Sequence, residues 1–145
     1  MLDILCKSLS HGSENYWSTV ALRYKVLRLP LKLDYTYSQL INETNDYHLV
    51  AILNNEIIAC LILSQINDNQ IKMRQVAVSE GFQGKGIGKT LVYYSEEFAK
   101  EHGYSEILLH ARESAVPFYL RLNYQITGTP FIEVGLPHRI MQKKL

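Results

Sequence analysis

The chain has 145 residues with 15 Lys+Arg against 14 Asp+Glu, a formal net charge of +1, so no global field draws it to nucleic acid. Hydrophobic residues at 47% and charged residues at 20% exclude a disordered chain, and the length suits one domain, residues 1–145, that builds its core without staples. The longest strictly apolar run, Ile57 to Leu63, is far below the roughly 20 residues of a membrane span. Asp3 and Lys7 interrupt any apolar leader, and Cys6 and Cys60 form neither a metal spacing nor a disulfide framework, so a soluble, cytoplasmic, metal-free domain is expected.

Ser13 to Leu29 reads as a helix, with Tyr16/Trp17, Val20/Ala21, Tyr24 and Leu27 at three- and four-residue spacing, closed by Pro30. Thr36 and Gln39 have capping-box spacing for one short helix in the loop that follows. His48–Leu53, Ile57–Gln65 and Gln70–Val78 read as three antiparallel strands, the first two joined at Asn54-Asn55-Glu56. Alternation in the third places Ile71, Met73, Gln75 and Ala77 on one face and Lys72, Arg74, Val76 and Val78 on the other. A glycine loop, Ser79–Gly86, then feeds an amphipathic helix over Ile87–His102, with Gly103 at its C′ position. A strand at Glu106–His110, a helix capped by Ser114 and ending near Leu122, and strands at Tyr124–Ile132 and His138–Lys144 complete the chain. The order α, βββ, α, β, α, β, β predicts a mixed sheet with helices on its faces.

The strand–loop–helix around Gln83-Gly84-Lys85-Gly86-Ile87-Gly88-Lys89 is a phosphate-binding candidate. Glycines let backbone approach a ligand, and the first N–H groups of a helix are free donors at its positive end. A Walker loop requires glycine where Gln83 stands, and a dinucleotide fingerprint requires it where Lys89 stands. The spacing that fits is Gln-x-x-Gly-x-Gly after a hydrophobic strand. It resembles the pyrophosphate loop of the GNAT superfamily of acyl-CoA-dependent N-acyltransferases. Leu108-Leu109-His110-Ala111-Arg112 followed by Ala115-Val116-Pro117-Phe118-Tyr119 resembles that family's second motif.

The resemblance implies an α/β (α+β) fold with a mixed, mostly antiparallel central sheet of six to seven strands and helices on both faces. It implies acetyl-CoA as co-substrate, with the backbone of Val76, Ala77 and Val78 along the pantetheine arm and Gln83, Gly84, Lys85, Gly86, Ile87, Gly88 and Lys89 at the pyrophosphate. Lys85 and Lys89 read equally as ordinary exposed lysines. Tyr119 falls where family members place the acid that protonates the departing thiolate, although Ala115, Phe118 and Leu122 mark the same turn as an apolar face. The fourth-strand glutamate that serves several members as base is missing from Met73-Arg74-Gln75. His138, His110 and Glu133 are the candidates for base or substrate contact, with His138 placed first; each also has a structural reading. Arg112 and Asn123 depart from the Asn and Gly usual in the family. Arg23 and Arg28 suit an acidic substrate or a solvated helix face, and Tyr35, Tyr37 and Tyr47 an aromatic slot or a core cover.

The expected activity is acetyl transfer to a primary amine of a small molecule or peptide by direct attack in a ternary complex. A catalytically weak acyl-CoA sensor is the alternative. The acceptor is unidentified, and a homodimer is left open.

Overall fold

The computed structural model describes residues 3–145. Its centre is a seven-stranded sheet in the order β1-β2-β3-β4-β5-β7-β6, formed by β1 (Leu5–Leu9), β2 (Tyr47–Leu53), β3 (Glu56–Gln65), β4 (Gln70–Val78), β5 (Glu106–Arg112), β6 (Gln125–Glu133) and β7 (Leu136–Lys144). Only β4 and β5 pair in parallel; every other neighbour is antiparallel. This is the mixed, mostly antiparallel α/β sheet that the sequence predicts, with β1 as a strand it did not announce. β1 is an edge strand with an irregular burial pattern, so no alternation marks it; pairing with β2 makes it a strand.

The helices are α1 (Glu14–Arg23), α2 (Tyr37–Ile41), α3 (Ile87–Glu101) and α4 (Val116–Arg121). Ser13 caps α1 by accepting from the Tyr16 amide, and Thr36 and Gln39 form the expected capping box on α2. The predicted long first helix is corrected in its second half. After Arg23 the chain widens into a π turn over Tyr24–Arg28 and then tightens into a 3₁₀ turn at Leu29–Leu31. Leu22, Val26 and Leu27 all pack onto the Val50–Cys60–Ala77 cluster through this stretch. Ser114 is not a helix cap; it lies inside a 3₁₀ turn, and α4 starts at Val116 with Pro117 in its first turn.

α1 and its extension cover one face of the sheet, and α3 and α4 cover the other, which holds the larger core of Leu49, Leu61, Leu63, Ile71, Met73, Leu91 and their neighbours. A bulge in β4 corrects the predicted faces. Cys60 pairs with Ala77 and Ile62 with Arg74, so β4 carries one residue more than β3, and Gln75 takes up the excess at φ 55°. Past the bulge the faces exchange: Val76 and Val78 join Ile71 and Met73 on the α3 side, while Ala77 turns to the α1 side.

Two helix ends show why the residues there are what they are. After α3, Gly103 and Tyr104 donate to the carbonyls of Lys100 and Ala99, the double-bonded stop that a left-handed glycine at φ 87° permits. After α4, Asn123 and Tyr124 repeat the pattern onto Leu120 and Tyr119, with Asn123 at φ 72°. Asparagine tolerates the left-handed region better than other non-glycine residues, which accounts for its place where the family has glycine.

Candidate active site

The parallel ladder between β4 and β5 ends at Met73 and Leu109. Beyond it the strands diverge, and the β5-facing backbone groups of residues 74–78 have no strand partner. A cleft of about 410 Å³ opens at this gap. Because the gap passes through the sheet, the cleft gathers side chains from both faces: Tyr119 and Ala115 from the α4 side, His110, Arg112 and His138 from the α1 side. Glu133 and Val134 close it at the β6–β7 turn, and Leu27 and Arg28 close it from the π turn.

Tyr119 is 7% exposed. Its ring stands edge-on to Phe118 and Tyr124 at 4.9 and 5.6 Å, and burial pushes its hydroxyl well above the ordinary tyrosine range. Such a hydroxyl keeps its proton at neutral pH. Tyr119 packs in the core and also lines the cleft.

His138 is 3% exposed and is paired with Arg112 across the β5–β7 ladder. Its Nδ1 lies 2.9 Å from the Leu136 carbonyl oxygen. A carbonyl only accepts, so Nδ1 carries the hydrogen and Nε2 is left free to take a proton. Nε2 lies 3.6 Å from Glu133 Oε2, and the other Glu133 oxygen accepts from His110 Nδ1 at 3.1 Å. Lys72 Nζ is 3.5 Å from that same His110 nitrogen. The three base candidates that the sequence left separate therefore form one cluster with Glu133 in the middle.

Burial raises the Glu133 carboxyl, but the His110 hydrogen bond and the charges of His110, His138 and Lys72 outweigh it and hold it below the ordinary carboxylate range. Lys72 is shifted downward, chiefly by burial and further by Arg74, against the pull of Glu133. Cys60 takes no part: it lies in the α1-side core, and burial pushes its thiol up to about 12.

The glycine loop sits at the end of β4 on the α3 side, outside the cleft lining. Gly84 and Gly86 are left-handed at φ 76° and 80°, and Gly86 begins α3 without a side-chain cap. Among the described residues the amides of 84–89 donate to no backbone acceptor, so a row of N–H groups stands open at the helix start. A Cβ added at Gly88 would come within 3.5 Å of the Val78 and Phe118 side chains, so α3 packs closely against the end of β4 here. Gln83 folds back and donates through Nε2 to the Val78 carbonyl at 2.9 Å, holding the loop to the strand. Lys85 and Lys89 are exposed and lean on the rings of Phe82 and Tyr93. The loop therefore fits a pyrophosphate through backbone amides, and the adjoining gap fits an extended arm lying along Val76–Val78.

Two arginine expectations part company. Arg23 is not on a solvated face: it is 1% exposed and forms a bidentate pair with Glu43 at 2.6 and 2.7 Å. Arg28 lines the cleft, its guanidinium 4.5 Å above the Tyr35 ring. Tyr47 packs edge-on against Phe98 as core cover, and Tyr37 is exposed. Lys72 escaped notice as a site residue; the signal was its place on the same strand face as Arg74.

A divided parallel pair thus lies beside a helix start with open amides. The profile of the acetyltransferase (GNAT) family matches residues 14–124, and the chain belongs to that family. A Bacillus subtilis relative, the uncharacterized protein YyaT, is 33% identical over 82 residues, 57% of this chain and 55% of the relative. The chain spans about half the length of the curated relatives it matches. Among solved structures, an acyl-CoA N-acyltransferase from Pseudomonas aeruginosa superposes with a TM-score of 0.80 at 22% identity, covering 99% of both chains. A GNAT family acetyltransferase from Elizabethkingia anophelis, solved with acetyl-CoA bound, superposes at 0.74 with 21% identity over 98% of both chains. At those identities the likeness is one of fold.

Proposed function

We propose that residues 1–145 work as one N-acetyltransferase domain that moves an acetyl group from acetyl-CoA to a primary amine by direct attack in a ternary complex. The observation that carries this reading is the cleft through the β4–β5 gap, which places a protonated Tyr119 and the His138–Glu133 pair at one opening.

Acetyl-CoA supplies the activated acyl group and the thiolate leaving group. The segment from Gln83 to Lys89 holds its pyrophosphate through the open amides of Gly84, Lys85, Gly86, Ile87, Gly88 and Lys89, with Gln83 fixing the loop to β4 and Lys85 and Lys89 adding charge. The backbone of Val76, Ala77 and Val78 takes the pantetheine arm, and a free N–H of Val76 or Val78 polarises the carbonyl. The neutral amine attacks the carbonyl carbon, a C–N bond forms, and the C–S bond breaks. His138 Nε2 receives the amine proton, and the Glu133 carboxylate stabilises the imidazolium. Tyr119 gives its proton to the departing sulfur. Because its hydroxyl stays protonated at neutral pH, Tyr119 has a proton to give as the C–S bond breaks.

The test is thiol release from acetyl-CoA over a pooled panel of primary amines, with acetyl-CoA binding followed by calorimetry. Tyr119→Phe is expected to bind acetyl-CoA as wild type does and to lose roughly 10²-fold or more in kcat, the range for a general acid. Near wild-type turnover would remove Tyr119 from the mechanism. Binding with no thiol release on any amine would favour the sensor reading.

A further inference from the structure

Beyond the Glu133 cluster, the α1-side wall of the cleft is cationic. Strand alternation turns Lys72 and Arg74 of β4 and His110 and Arg112 of β5 toward the same side, and Arg28 faces them from the π turn. These cations differ in how they are matched. Arg74 has Asp46 at 3.6 Å, and Lys72 sits by His110 and the Glu133 charge. Among the described residues, neither Arg28 nor Arg112 has a carboxylate within ion-pair distance.

Both arginines are nevertheless held in place. Arg28 sits over the Tyr35 ring, and the Tyr35 hydroxyl donates to Gln75 at the β4 bulge. Arg112 donates to the Leu27 carbonyl at 3.3 Å, next to Arg28 in the chain. Two positioned, unmatched guanidinium groups in a chain of net charge +1 form a local anion site. The phosphates of acetyl-CoA do not account for it, because the open amides of 84–89 lie at the start of α3, on the other face of the sheet.

We infer that the acceptor amine carries an anionic group, a carboxylate or a phosphate, gripped by Arg28 and Arg112 while its nitrogen faces His138 and Glu133. The inference rests on the acetyltransferase reading above. Arg112 and His138 are direct partners across the β5–β7 ladder, with Cα atoms about 4.5–5.5 Å apart in such pairs. Arg28, Arg112 and His138 also line one cleft, so a single small acceptor can carry both groups.

The test measures thiol release from acetyl-CoA with glycine, β-alanine and γ-aminobutyrate, each against its carboxamide, and with phosphoethanolamine against ethanolamine. At least one anionic amine is expected to exceed its neutral partner by about tenfold or more in kcat/KM. The winning arm tells carboxylate from phosphate. Arg28→Gln and Arg112→Gln are each expected to cut that preference by about tenfold, the equivalent of about 1.4 kcal/mol, with the Kd for acetyl-CoA unchanged. Arg28→Gln keeps the test alive if loss of the Leu27 contact unfolds Arg112→Gln.

If wild type does not bind acetyl-CoA, the acetyltransferase reading falls and this inference with it. If acetyl-CoA binds but no anionic amine is preferred, or the preference survives in Arg28→Gln, only this inference is overturned. Loss of acetyl-CoA affinity in Arg28→Gln also overturns it, by assigning that arginine to the co-substrate.

Discussion

Arg23 and Glu43 decide more at the residue scale than their places in the sequence suggest. Tyr16 donates to Glu43 at 2.9 Å beside the two Arg23 contacts, so a buried carboxylate is matched by three donors. Burial alone would raise Glu43, but the Arg23 hydrogen bonds and charge win and hold it below its ordinary value. A carboxyl depressed in the folded state stabilises fully above its unfolded value near 4.5 and loses that contribution as pH falls through the folded value. Glu43→Gln leaves Arg23 buried without a counter-charge and is expected to cost about 3–5 kcal/mol in urea unfolding at neutral pH. It should also flatten the loss of stability on the acid side, which unfolding midpoints measured between neutral and acid pH would register. Helical spacing marked Arg23 as one of several cations on a face; what buries it is a carboxylate twenty residues away.

At the element scale, the β6–β7 hairpin places the carboxylate of the site. Glu133 pairs with Leu136 across a two-residue turn, Val134-Gly135, with φ of 46° and 77°. Gly135 accepts that geometry freely, whereas a β-branched valine is strained there. Val134→Asn is expected to raise stability by about 1 kcal/mol, read as a higher unfolding midpoint. A lower midpoint would mean that the contacts of Val134 in the cleft outweigh the strain. The β4 bulge is the second such element. Period-two alternation was right for Ile71 and Met73 and failed after Gln75, because one added residue exchanges the faces and no propensity marks where it falls.

Across the whole molecule, the proposed site spans both faces of the sheet, so a ligand there braces the β4–β5 gap against opening. Acetyl-CoA at about 100 times its Kd is expected to stabilise the fold by about 2.7 kcal/mol, visible as a rise in Tm. Gly86→Asp, which puts a side chain and a negative charge at φ 80° beside the open amides, is expected to abolish that rise. Equal shifts in both proteins would move the phosphates away from this loop. The glycine loop, the three central strands, the α3 stop at Gly103 and the family were legible in the sequence because each is written in contiguous residues: a spacing, an alternation, a cap. The gathering of Glu133 with His110, His138 and Lys72, the sequestering of Arg23 and the exposure of Arg28 and Arg112 to one cleft were not. Those depend on which strands lie side by side and where their hydrogen bonds stop, and only the folded sheet brings such distant residues within a few ångströms.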